Sequence, residues 1–178
     1  SLLWFVGIIN SVNLVDGLDG LAGGSLMLVC FGGIVLGSYF NLSGFILINL
    51  VLFSALLGFL FFNSRPAKYF MGDSGSMFLG YHLAVLPLLF YCSGSIKTLD
   101  VTPFIIISTY FILDTIRVFY VRIMDKKHPL KPDNLHLHHE LLDATKSYNG
   151  TLLIIFIVIA ISIIFAFVQV VYELTVMY

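Results

Sequence analysis

Three polar stretches in this 178-residue chain carry side chains able to do chemistry. In Pro66–Ser76 the carboxylate of Asp73 stands among Gly72, Ser74 and Gly75, where the backbone can approach a ligand closely. Its simplest role would be to cap a helix beginning near Ser76. Yet an ionisable group at the edge of hydrocarbon is costly and is usually tied to a substrate or ion. Mg2+ takes few carboxylates and completes its shell with water and phosphate oxygens. Asp73 together with Asp16 or Asp19 would suit it. Asn63 precedes this stretch, and Phe70 could stack on a flat base or ring, although an aromatic at a membrane interface also serves as an anchor.

The second stretch, residues 10–24, holds Asn10, Asn13, Asp16 and Asp19. If it is helical, Asp16 and Asp19 share a face, and each is followed by a glycine. Two carboxylates with two amides exceed what one helix cap needs, so a functional site is expected. The third stretch ends Leu135-His136-Leu137-His138-His139-Glu140. Three histidines in four positions suit zinc, which in a catalytic site wants three protein ligands. They suit equally well the donation of hydrogen bonds to a diphosphate, aided by Arg122, Lys126, Lys127 and Lys131. Asp114 and Arg117, three apart, read as a structural ion pair, and His82 as a packed histidine.

The elements that carry these residues are apolar. The chain is 59% hydrophobic and 11% charged, against about a quarter charged in a soluble domain. An all-α, polytopic membrane bundle is expected, and no basic patch suggests nucleic acid. Runs of roughly 17–25 apolar residues cross a bilayer as helices. Residues 22–40, 45–62, 76–91, 102–120 and 151–172 read as five full spans, with 2–9 as the tail of another. The glycines of 22–40 suit close helix packing in lipid. No internal repeat divides residues 1–178, so one domain is expected. Cys30 and Cys92 lie in apolar runs and read as small hydrophobes.

Alternating crossings put loops 10–21, 63–75 and 121–150 on one face. Eight of the nine Lys and Arg (65, 68, 117, 122, 126, 127, 131, 146) lie on or beside that face, and Lys97 on the other. The positive-inside bias makes the first face cytoplasmic. A transporter or channel would carry polar groups at mid-span on broken helices, whereas these spans are nearly clean. A membrane zinc hydrolase built on His136, His138 and His139 is the other rival.

The strings NSVNLVDGLDGLAGG, NSRPAKYFMGDSGSMFLG and PLKPDNLHLHHEL resemble the polyprenyl-phosphate N-acetylhexosamine-1-phosphate transferases, three motifs in the family's order over nearly the whole chain. The PDNLHLHH form is more similar to the N-acetylglucosamine branch than to the muramoyl-pentapeptide branch. The resemblance implies a bacterial cytoplasmic-membrane enzyme with its site facing the cytoplasm. Its substrates would be a UDP-N-acetylhexosamine and undecaprenyl phosphate, its cofactor Mg2+ (or Mn2+), and its habit a homodimer.

By the same resemblance Asp73 matches the metal-coordinating aspartate and Phe70 the aromatic near the uracil. Asn13, Asp16 and Asp19 match residues lining the nucleotide pocket, and Asn63 a polar residue near the metal. Arg122 matches an arginine on the sugar nucleotide's phosphates, and His136, His138 and His139 the histidines beside them. The family also needs an adjacent aspartate pair and a lysine on an earlier cytoplasmic loop. No Asp-Asp pair occurs here, so the chain is expected to correspond to the C-terminal half of such an enzyme.

Overall fold

In hydrocarbon a helix pairs every backbone N–H and C=O within its own segment, and the long apolar runs fold accordingly. The computed structural model describes residues 2–93, 101–125 and 135–176. Lys97, Lys126, Lys127, Lys131 and the Pro132-Asp133-Asn134 part of the histidine motif lie outside the described residues.

Eight helices follow in order: α1 (Leu2–Val15), α2 (Leu21–Tyr39), α3 (Ser43–Asn63), α4 (Gly72–Ser93), α5 (Thr102–Ile107), α6 (Thr109–Met124), α7 (Leu137–Thr145) and α8 (Tyr148–Val176). Helices α2, α3, α4 and residues Tyr148–Tyr172 of α8 are long and apolar enough to cross a membrane. The chain is a multi-pass helical membrane protein.

The expected single span over 102–120 is instead two helices, of 6 and 16 residues, meeting at Ser108. Ser108 has ψ near 0, and the Thr109 hydroxyl bonds the Ile105 carbonyl at 3.2 Å. A hydroxyl reaching back four residues competes with the backbone ladder and bends a helix. Hydropathy is blind to that bend, because Ser and Thr interrupt the apolar run too briefly.

Small residues set the helix spacing. A Cβ on Gly33 would meet Asn49 Oδ1 at 2.6 Å, and one on Gly37 would meet Ile46 Cγ1 at 2.8 Å, so α2 lies close against α3. Gly80 of α4 backs onto the Ile9 backbone of α1 in the same way, a Cβ there meeting Ile9 Cα at 2.7 Å. The Trp4 indole donates to the Ala84 carbonyl at 2.9 Å, within a turn of Pro87, which interrupts the α4 ladder.

His82 is the packed histidine expected of it. It is buried, with Nε2 3.3 Å from Asn49 Oδ1 and 3.8 Å from Cys30 Sγ. Beside that cluster is an aromatic one, with Phe90 edge-on to Phe40, Phe45 and Phe104. The outward faces of α3 and α8 are apolar as well, with Val51, Phe61, Ile164 and Phe165 exposed.

The two ends of the bundle differ in kind. At one, Gly44 and Ser93 approach each other across the α2–α3 turn and the end of α4. At the other, hydrogen bonds tie the α1–α2 link to the end of α3 and the α3–α4 link, and the His138 ring of α7 lies against Gly17. The described parts of all three polar stretches therefore meet at one end.

Candidate functional site

Within residues 10–24 only 16–20 form a turn, the flanking residues belonging to α1 and α2. α1 stops at Val15 because Gly17 N–H folds back onto the Val15 carbonyl at 2.7 Å and Gly20 takes a left-handed φ of 78° before α2. Asp16 and Asp19 thus do not share a helical face; they project from a five-residue turn. Asn10 stays on α1, where its amide donates to the Val6 carbonyl at 2.8 Å.

Asn63, buried at the end of α3, stitches this turn to the next. Its Oδ1 accepts Gly20 N–H at 2.9 Å and its Nδ2 donates to the Tyr69 carbonyl at 2.8 Å. A second tie runs from Ala67 N–H to Asp19 Oδ2 at 3.1 Å. The Tyr148 hydroxyl donates to the Asp19 carbonyl at 2.9 Å, and its ring carries the Arg65 guanidinium 4.1 Å above its centroid. Sequence motifs did not point to Tyr148, because its contact with position 19 is made only by tertiary folding.

Helix α4 begins at Gly72, φ 68°, earlier than the expected Ser76, so Asp73 stands in its first turn. Asn13 braces this start by donating to Ser76 Oγ at 2.9 Å. Between the two links lies a cavity of about 280 Å3 lined by Asp16, Asp19, Asn63, Phe70 and Asp73 with their neighbouring glycines. Phe70 is 77% exposed, leaving its ring open to a partner. Burial, and then the nearby Asp73 carboxylate, hold the Asp16 carboxyl above the usual carboxylate range. A carboxylate raised in this way by a facing one fits a divalent cation, which would relieve the repulsion between them.

The histidines reach the same place from the far side. The His138 ring lies against Gly17, leaving no room there for a Cβ. It stacks nearly parallel on His136, 5.7 Å between centroids, and lies 4.3 Å from His139. His138 is 1% exposed, and neither ring nitrogen has a hydrogen-bond partner. Burial first, then the neighbouring His139, lowers its pKa to about 4, against the opposing pull of Asp114. An orphaned buried imidazole is uncommon and calls for a ligand or a stated reason.

Stacked rings do not converge on one point. Among the described residues no group of three His, Cys, Asp or Glu is arranged to hold a metal ion, so the zinc arrangement is not what the fold builds. Mg2+ needs only one or two carboxylates beside water and phosphate, which the Asp16–Asp73 pair offers.

Asp114 and Arg117 are not each other's partners. Asp114 Oδ2 takes His136 Nδ1 at 2.8 Å and its Oδ1 accepts Leu137 N–H at 2.6 Å. Arg117 donates to the Leu135 carbonyl at 2.8 Å and pairs with Glu140. The local i,i+3 reading was overruled because α7 brings stronger partners to both. Arg122 is buried in the last turn of α6, two turns along the Asp114 face.

The fold is that of a multi-pass helical membrane protein with a carboxylate-lined cavity at one end of the bundle, and sequence comparison gives its family. Residues 1–91 match the family model "Glycosyl transferase family 4", and the chain belongs to that family. Over 163 residues it is 40% identical to a probable undecaprenyl-phosphate N-acetylglucosaminyl 1-phosphate transferase of Bacillus subtilis, covering 89% of this chain and 44% of the relative. It is 35% identical to a decaprenyl-phosphate N-acetylglucosaminephosphotransferase of Mycolicibacterium smegmatis, covering 90% and 44%. It is 37% identical to a phospho-N-acetylmuramoyl-pentapeptide-transferase of Oceanobacillus iheyensis, covering 79% and 42%. The chain spans less than half the length of these relatives.

Proposed function

We propose that the protein transfers an N-acetylhexosamine 1-phosphate, N-acetylglucosamine 1-phosphate by preference, from a UDP-sugar to undecaprenyl phosphate. It would do so on the cytoplasmic face of the bacterial inner membrane, as the first step of a lipid-linked envelope glycan. The observation that carries this reading is the meeting of Asp16, Asp73 and Phe70 around one cavity, with His138 seated against Gly17 beside it. The two relatives named for N-acetylglucosamine support the sugar.

An oxygen of the lipid phosphate attacks the β-phosphorus of the UDP-sugar. The bond from that phosphorus to the bridging oxygen breaks, and UMP leaves with the electron pair. Such transfers need positioning and charge neutralisation more than covalent help from the protein. Asp73 and Asp16 would hold Mg2+ (or Mn2+), whose chemistry is to offset charge on the diphosphate. Phe70 stacks on the uracil, while Asp19 and Asn63 keep the two cavity walls in register. Asn13 holds the start of α4, and with it Asp73, in place. His136, His138, His139 and Arg122 receive the phosphoryl oxygens. The site's position at the end of the bundle keeps the lipid's phosphate wet while its prenyl tail stays in hydrocarbon.

The test is to incubate membranes carrying the complete protein with undecaprenyl phosphate, Mg2+ and radiolabelled UDP-sugars. Label from UDP-N-acetylglucosamine should enter the lipid phase with release of UMP. Label entering only from another UDP-sugar would overturn the sugar assignment, and none from any would overturn the transferase.

A further inference from the structure

Asp114 is 1% exposed, one turn into α6, and its two carboxylate oxygens are divided between two tasks. Oδ2 lies 2.8 Å from His136 Nδ1 and Oδ1 accepts Leu137 N–H at 2.6 Å. His136 is the N-cap of α7 but makes no capping bond with its own side chain. The first amide of that helix is capped instead from α6. A carboxylate at a helix N-terminus is favoured by both the orphaned N–H groups and the macrodipole.

The consequence for His136 is tautomeric. A carboxylate only accepts hydrogen bonds, so Nδ1 must carry its proton, and Nε2 is left as the nitrogen not engaged by Asp114. Which ring nitrogen is free for chemistry is set by the bond the other one makes. His136 in turn stacks on His138, which packs against Gly17 at the cavity. One buried side chain on a membrane helix therefore fixes the rotation of the lead imidazole and the seat of the short helix bearing the other two.

We propose that Asp114 is the positioning residue of the histidine cluster, fixing His136 in its Nδ1–H tautomer and anchoring α7 over the carboxylate cavity. This rests on the transferase reading for its kinetic consequence but not for its structural one. An asparagine at position 114 has one acceptor oxygen and a donor NH2. It can satisfy the imidazole N–H or the Leu137 N–H, not both.

The experiment compares wild type, Asp114→Asn, His136→Ala and the double variant in the complete membrane protein, with Thr115→Val as a neighbouring control. Thr115 donates to Ser11 Oγ at 2.9 Å, an α6–α1 contact apart from the histidines. Asp114→Asn should lower kcat by about 10–100-fold, the scale lost when the carboxylate behind a metal-bound histidine is removed, with KM for the sugar nucleotide nearly unchanged. Adding Asp114→Asn to His136→Ala should cost little more, and Thr115→Val should keep wild-type activity. Fully additive losses, or wild-type kcat in Asp114→Asn, would overturn the proposal. Nitrogen NMR of 15N-histidine protein gives the readout independent of activity. Wild-type His136 should show a protonated Nδ1 and Asp114→Asn a mixture of tautomers. An Nε2–H tautomer in wild type would overturn the proposal even if the enzyme is active, and the expected spectrum in an inactive protein would indict only the transferase reading.

Discussion

Gly17 and the imidazole of His138 lie so close that a methyl group at position 17 would overlap the ring. Residues 121 positions apart in the chain thus form the joint between the carboxylate turn and the histidine helix. Gly17→Ala must displace either that turn or α7. Forced overpacking of a tight site typically costs about 1–3 kcal/mol, so thermal stability in detergent should fall modestly. Sugar-nucleotide turnover should fall much further than stability does. Equal turnover in Gly17→Ala and wild type would show that the joint is not part of the working site.

Asp73 is exposed in the first turn of α4 and faces Asp16 across the cavity. Asp73→Asn keeps the shape and removes the charge. Transfer should drop by about 100-fold or more, the scale seen when one electrostatic element of a transition-state site is lost. Expression and thermal midpoint should hold, and added Mg2+, which is expected to raise the wild-type midpoint, should leave that of the variant unchanged. A variant whose Mg2+ titration matches wild type would remove Asp73 from the metal role.

Asn63 tests the frame of the cavity. Asn63→Ala leaves Gly20 N–H and the Tyr69 carbonyl without the partners they now have. Each buried polar group left unsatisfied costs about 1–3 kcal/mol. The variant should be clearly destabilised, with faster amide exchange at Gly20 than at the adjoining residues of α2. Unchanged exchange there would mean that the two links are held together by something else.

His138 gives stability a pH dependence of known sign. Its pKa falls from 6.5 to about 4 on burial, so between those values the unfolded chain binds a proton that the folded one does not. Its contribution is complete above pH 6.5 and is lost as the pH falls towards 4. The thermal midpoint of wild type should decline over that interval more steeply than that of His138→Gln. Parallel curves would mean that His138 is protonated in the folded protein.

Much of this arrangement is legible along the chain. The apolar runs locate α2, α3, α4 and the spanning part of α8 to within a few residues, because burying apolar surface and pairing the backbone in lipid are local requirements. The parity of crossings puts loops 10–21, 63–75 and 121–150 on one face, and the described parts of those loops meet through Asn63, Asp19 and His138. Asp73 and Asp16 stand out because charged groups are conspicuous beside hydrocarbon, and Phe70 because it lies three residues before Asp73. Local spacing misleads where a distant partner outbids a near one, as at Asp114 and Arg117, whose i,i+3 geometry yields to His136 and Glu140. It misleads also at residues 16–19, where Gly17 and Gly20 turn the backbone out of a helix.

Residue types and apolar run lengths by themselves determined a helical membrane protein with its polar chemistry at one edge, since transfer from water to hydrocarbon acts on each segment separately. Only the tertiary structure decided that His138 seats on Gly17, that Asn63 ties Gly20 to Tyr69, and that Asp114 serves His136. Those are contacts between segments, and their energy depends on distances and directions that no spacing along one strand of sequence encodes.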